Sequence, residues 1–222
     1  SRDGETLLDR RTPAAGGGEE EDVPLTLARI WDFAMTSPLD ELRFILETSR
    51  LNKAAAEQAF AGEFGHCVGR TLCCDRERKV MGDSIFTRIL SYTSAACDAR
   101  MAGAMIPVMS NSGSGNQGIT TSVPVIVYAK ELGVSDEMRY RALTLANLTT
   151  IHVKTPIGRL SAYCGAVGAG AGAGAGIAYL CGGGLKEVEH TVVNALAIVS
   201  GIVCDGAKAS CAAKIASAVD AG

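Results

Sequence analysis

The 222 residues, 47% hydrophobic and 20% charged, are enough to bury a sizeable core in one large domain or two small ones. The net charge of −3, without a basic stripe or an aromatic stacking ladder, gives no case for a nucleic-acid partner or an anionic membrane surface. Eight cysteines are too sparse for a disulfide scaffold, so reduced thiols in a cytoplasmic protein are expected. Residues 1–22 are polar, with Gly16-Gly17-Gly18 followed by Glu19-Glu20-Glu21, and read as an extended arm and loop.

Helical signals dominate residues 23–222. Leu25 to Ala34 reads as one helix. Ser37-Pro38-Leu39-Asp40-Glu41 is a helix start, with Ser37 as cap, Pro38 in the first turn and acids at the positive end of the dipole. That helix runs towards Arg50. Further helices are expected over 53–61, 65–73 and 83–105, the last with small residues on one face. A Gly-rich loop at 113–118 precedes residues 119–132, whose core from Val123 to Val127 also fits a strand. Ser135-Asp136-Glu137 caps a helix that runs to about Val153, and Pro156 breaks it. Residues 159–180 are dominated by Gly and Ala, and 188–203 form a largely apolar helix. Asp205-Gly206 interrupts it, and Ala207 onward starts the last helix.

The expected fold is therefore a mainly α, compact domain of closely packed Gly/Ala-rich helices, with one ambiguous strand. Residues 160–180 and 191–203 have the look of membrane spans. The first is mostly Gly and Ala, which gain little from lipid, and the second is too short to cross, so no membrane partner is expected. Small-residue helix faces point to a homodimer. The chain starts at Ser1 without Met and ends in an Ala-rich pattern with a weak stop, so both ends read as cut and a fragment of a longer protein is expected.

Three cysteines stand out in the last third: Cys164, Cys204 and Cys211, each in small-residue sequence with no fourth cysteine following. Three thiolates without a fourth suit an iron–sulfur cluster with one iron open to substrate, because a closed structural site normally supplies four ligands. Seven residues on one helix would hold Cys204 and Cys211 about 10 Å apart, but the Asp205-Gly206 break lets the chain turn back, with Asp205 as a cap for the new helix. Two other readings stay open: three buried apolar cysteines, or a zinc site with His152 or His190 as fourth ligand. Cys67, Cys73, Cys74, Cys97 and Cys181 read as ordinary apolar cysteines.

The second motif is Met109-Ser110-Asn111-Ser112-Gly113-Ser114-Gly115-Asn116-Gln117-Gly118. Small residues let the backbone approach a ligand, and free N–H groups of a helix starting near Asn116 would point into the same site. An amino-acid carboxylate held by Ser110, Asn111, Ser112, Gly113, Ser114, Gly115, Asn116 and Gln117 is one reading, and a flexible surface loop is the other. Gly113, Gly115 and Gly118 also spell a literal G-x-G-x-x-G. A dinucleotide fold needs a clear strand before it and an acid ending a second strand, whereas Asp136 and Glu137 look like a helix start. Among the ionisable groups nearby, Asp98 and Arg100 precede the loop, and His152 and Lys154 precede Cys164. Lys208 lies between two candidate ligands. His152 and Lys208 are singled out as catalytic candidates.

Ala95-Ala96-Cys97-Asp98-Ala99-Arg100-Met101-Ala102-Gly103, the string from Pro107 to Gly118, and Cys204-Asp205-Gly206-Ala207-Lys208 with Cys211 resemble the serine dehydratase-like alpha-chain superfamily. Within it the best match is the UPF0597 group, which includes L-cysteine desulfidases, and the resemblance runs from about Leu25 to the end. It implies an all-helical cluster domain and a [4Fe–4S] cluster held at Cys164, Cys204 and Cys211. It also implies pyridoxal-phosphate-independent β-elimination: L-cysteine would give pyruvate, ammonia and sulfide, and L-serine would give pyruvate and ammonia. Family members carry a further N-terminal half with no equivalent before Leu25, so the chain is expected to be the C-terminal, cluster-bearing part, which limits what it would catalyse alone. On this reading the loop holds the substrate carboxylate and His152 is the in-chain base. The competing classes are a non-catalytic iron–sulfur or zinc protein and, on glycine spacing alone, a nucleotide-binding oxidoreductase.

Overall fold

Residues 24–158 and 161–222 are described by a computed structural model; the arm read over 1–22, and the first two residues of the 159–180 run, lie outside them. The helices are α1 (Leu27–Thr36), α2 (Leu39–Leu42), α3 (Leu46–Phe60), α4 (Val68–Cys73), α5 (Asp75–Met81), α6 (Ile85–Met101), α7 (Gly115–Leu132), α8 (Asp136–Lys154), α9 (Gly165–Leu180), α10 (Leu185–Val199) and α11 (Cys211–Ala221). Among the described residues there is no strand, only isolated bridges between Asn111 and Ser114 and between Tyr163 and Val203. The fold is mainly α, as the sequence indicates.

The Gly/Ala run organises the bundle. Six glycines in α9 cost that helix about 5–6 kcal/mol against alanine, so packing must offset its poor intrinsic propensity. The glycines fall in two rows four residues apart. A Cβ at Gly170 would strike the Ala218 carbonyl of α11, and one at Gly174 the carbonyl of Gly222. On the other row, a Cβ at Gly172 would strike Thr150 Oγ1 of α8 and one at Gly176 would lie 2.9 Å from the Ala142 carbonyl. Two neighbours thus approach α9 backbone to backbone. The alanines between them fill the core: Ala171 and Ala175 pack with Ile30, Val188 and Val192, and Ala173 with Val125, Leu143 and Leu180. The small-residue faces that suggested a dimer are therefore used inside the bundle.

Several boundaries differ from the sequence reading. Ser37 does not cap the second helix; its N–H donates to the Phe33 carbonyl and closes α1. The chain tightens to a 3₁₀ turn over Arg43–Ile45 and then runs unbroken through α3, because nothing between Arg50 and Lys53 breaks a helix. The helix expected over 83–105 is shorter: Ser84 caps α6 at Thr87 N–H, 3.2 Å, and Gly103 in the left-handed region ends it. Val123 to Val127 is helical, in the middle of an 18-residue helix buried on nearly all sides, with Pro124 inside it. Ser135 caps α8 as read. The last helix starts at Cys211 rather than Ala207, because residues 208–211 form a turn closed by Cys211 N–H to the Lys208 carbonyl, 2.9 Å. No described helix is long and apolar enough to cross a membrane.

Candidate functional site

The glycine-rich motif is a built turn. Asn111 and Ser114 exchange both backbone hydrogen bonds, at 3.1 and 2.9 Å, and Ser112 and Gly113 between them have φ of 49° and 79°. That is the backbone a two-residue hairpin turn requires, and Gly113 meets it without strain. Ser114 then caps α7, accepting from Gln117 N–H, and Gly115 to Gly118 form its first turn. The literal G-x-G-x-x-G begins inside this turn, at Gly113, and among the described residues no strand precedes it, so the dinucleotide reading lacks its context.

Two asparagine side chains tie the motif to its neighbours. Asn52 of α3, fully buried, accepts from Met109 N–H at 2.8 Å and donates to Met109 O at 3.3 Å and to Ser122 Oγ at 2.9 Å. Asn111 donates to the carbonyl and side-chain oxygens of Asn147 on α8. Gly118 lets the Met109 carbonyl lie against α7, where any Cβ would collide with it.

The three cysteines come together through a short antiparallel pairing. Cys164 N–H donates to Ile202 O at 3.1 Å, and Cys204 N–H to Ala162 O at 2.6 Å, around the Tyr163–Val203 bridge. Cys164 is the N-cap of α9 and Cys211 the first residue of α11, so both sit where a helix dipole favours negative charge. Burial works the other way at Cys164. It pushes that thiol up, as do Cys204 and Cys211 nearby, while the Ala166 N–H and Lys214 pull it down. Asp205 does not cap the last helix. It binds Lys208 Nζ at 2.7 Å and Lys214 Nζ at 2.6 Å, and these hydrogen bonds hold its carboxyl far below the usual range. Lys214 also donates to Val203 O, so Asp205 clamps the segment that carries Cys204.

All three thiols line one cavity of about 290 Å³, together with Ser114, Asn116 and Gln117 of the motif. Gly113 also lines it. Ser110, Asn111, Ser112 and Gly115 do not: Asn111 and Ser112 hold the turn, and Gly115 gives room to Arg100. His152 is partly buried in the last turn of α8 and does not line the cavity, and His190 is exposed on α10, so neither places an imidazole beside the thiols. Lys208 is exposed, with its ammonium on Asp205 and its N–H towards Cys211 Sγ at 3.4 Å. Among the described residues no three His, Cys, Asp or Glu side chains form a group able to hold a metal ion.

Two cations in the wall were ranked below His152 and Lys208 on sequence: Arg100, and Lys154, which is only 9% exposed. Their signal was position, Lys154 one helical half-turn beyond His152 and Arg100 at the end of the helix before the motif. A larger cavity of about 350 Å³ lies at the far ends of α6 and α7, but both of its carboxylates are taken by its arginines: Arg78 pairs with Asp83, and Arg88 with Asp83 and Glu131. The thiol-lined cavity is therefore the candidate site despite its smaller size.

Comparison with known proteins gives a consistent picture. The serine dehydratase alpha-chain family matches residues 9–222, reaching into the segment read as an arm. A UPF0597 protein of Bacteroides fragilis is 55% identical over 215 residues, 97% of this chain and 50% of the relative. One from Bacteroides thetaiotaomicron is 56% identical over 217 residues, 98% of this chain and 51% of the relative. One from Oleidesulfovibrio alaskensis is 51% identical over 222 residues, all of this chain and 52% of the relative. The chain thus spans about half the length of the curated relatives it matches. No solved structure matches it.

Proposed function

The chain belongs to the serine dehydratase alpha-chain family, and on that premise we propose that it is the cluster-bearing part of an iron–sulfur-dependent β-elimination lyase acting on a small L-amino acid. L-cysteine, giving pyruvate, ammonia and sulfide, is the first reading. L-serine is the second, favoured by the description of the family itself. The observation that carries the proposal is that thiols from three separate segments open onto one cavity beside the SNSGSGNQG turn.

The donor set fits a cluster. Three soft sulfurs are the ligands iron–sulfur clusters take, and a cluster accepts one thiolate per iron, so the sulfurs need not converge on a single point. Gln117 also lines the wall, and its buried Oε1 has no hydrogen-bond partner among the described residues. Cys164, Cys204 and Cys211 would hold the group, which would supply a Lewis-acidic iron to a β-thiol or β-hydroxyl leaving group.

The chain's own residues bind and orient the substrate. The first-turn N–H groups of α7, with Ser114 and Asn116, present donors to an anion in the cavity. Lys154 shares the wall with Cys164, placed to stabilise the negative charge that grows as a base supplied from beyond the described residues takes the Cα proton. Asp205 and its two lysines fix the Cys204 segment.

A cytoplasmic setting is part of the proposal, supported by eight cysteines that are all free. So is a homodimer, for which Val193 and Ile198, exposed on α10, offer apolar surface. The test is steady-state pyruvate release from L-cysteine and from L-serine by the intact natural polypeptide after anaerobic reconstitution. Release from either supports a lyase and names the substrate. Release from neither leaves a metal-binding protein without turnover.

A further inference from the structure

We infer that Arg100 is the anchor for the carboxylate of the ligand in the thiol-lined cavity. Its identity as the α-carboxylate of an amino acid rests on the lyase reading; the anchor itself rests on the geometry.

Arg100 is in the last turn of α6 and lines the cavity. Its Nη1 donates to Asn116 Oδ1 at 3.0 Å. The buried Cys97 thiol lies 3.6 Å from the same oxygen, and Asn116 Nδ2 is 3.4 Å from Met101 Sδ. These contacts fix which way the Asn116 amide points and turn its oxygen towards the guanidinium. Gly115 leaves the space: a Cβ there would collide with Arg100 Nε and lie 3.0 Å from Cζ. The guanidinium is thus laid across the first turn of α7 and held there by a neutral group.

No carboxylate claims it. Among the described residues, none of those lining the cavity is acidic, and no ion pair to Arg100 forms. The nearest acid in sequence, Asp98, is turned the other way and accepts Gly69 N–H at 3.0 Å. Asp205 is held by Lys208 and Lys214. Two cations, Arg100 and Lys154, therefore wall a cavity to which no described residue contributes a carboxylate. A guanidinium has five N–H donors in a planar fork that matches a carboxylate, and Asn116 takes only part of that capacity.

Calorimetric titration of the intact natural polypeptide tests the inference with two probes that cannot undergo the elimination. L-lactate carries a carboxylate without an amine, and ethanolamine an amine without a carboxylate. Arg100→Gln is expected to weaken lactate about 10- to 100-fold, the loss of charge-assisted hydrogen bonds, and to leave ethanolamine unchanged. Asn116→Asp places a carboxylate on the guanidinium with almost no change of shape, and is expected to weaken lactate as well; it decides the matter if Arg100→Gln does not fold. Unchanged lactate affinity in a folded variant, or no lactate binding by the wild type, overturns the inference. The two readings separate cleanly. Turnover with an unchanged KM in both variants keeps the lyase and removes the anchor. Arginine-dependent lactate binding without turnover of cysteine or serine keeps the anchor and removes the lyase.

Discussion

Tyr163 and Val203 face each other as an antiparallel bridge, and the hydrogen bonds on either side of it belong to Cys164 and Cys204. Two cysteines forty residues apart in sequence are thereby brought to diagonally opposite ends of one short backbone pairing. Cys211 reaches the same cavity from the start of the next helix.

Lys154 and His152 separate the structural reading from the sequence reading. Lys154→Met keeps the buried stem and removes the charge from the cavity wall. It is expected to lower kcat by about 10²-fold or more, with the cluster retained. His152→Gln is expected to leave kcat unchanged. Steady-state kinetics on the two variants with the better substrate checks both.

Asn52 holds Met109, the first residue of the motif, with two hydrogen bonds and reaches Ser122 of α7 with a third. Asn52→Ala strands the Met109 N–H and carbonyl in the core and is expected to cost about 2–4 kcal/mol in chemical denaturation. Because the turn after Met109 shapes the cavity, KM is expected to rise as well.

Gly172 and Gly182 make a controlled pair. Gly172→Ala drives a methyl into Thr150 and to 2.6 Å from the Ala146 carbonyl, which is expected to cost about 1–3 kcal/mol or more. Gly182 has φ of +88° but nothing within 4 Å, so Gly182→Ala carries only backbone strain, about 1 kcal/mol. Denaturation midpoints of the two variants give the comparison.

Asp98 is 2% exposed, and burial raises its carboxyl above the ordinary value despite the donors from Gly69, Val68 and His66. One of its oxygens has no partner. A carboxyl whose folded-state pKa is raised binds its proton more tightly when folded. That stability is fully present below the unfolded value of about 3.9 and is lost as pH rises through the folded pKa. Asp98→Asn is therefore expected to flatten the decline of Tm with rising pH just above that value, measured on metal-free protein.

Much of this was legible in the sequence, for identifiable reasons. Capping at Ser135 and the break near Pro156 are local, so they could be read directly. Val123 to Val127 could not, because a short β-branched run looks the same in a buried strand and a buried helix, and only the packing of α7 decides. The helix expected over 188–203 instead ends at Val199, ahead of Asp205-Gly206, because residues 202–204 pair with 162–164. The three thiols were visible as a set, but not the bridge that gathers them, which pairs residues with no shared pattern. Arg100 and Lys154 were visible only as charges near a motif. What distinguishes them from His152 and Lys208 is the cavity wall, a property of five helices together.

The most direct test of the central claim is anaerobic reconstitution with iron and sulfide of the wild type and of Cys204→Ala, read by visible absorption and metal analysis. The account predicts a broad visible band and about four irons per chain in the wild type, lost in the variant. Stoichiometric zinc without an iron chromophore, or a full complement of iron retained by Cys204→Ala, would contradict it.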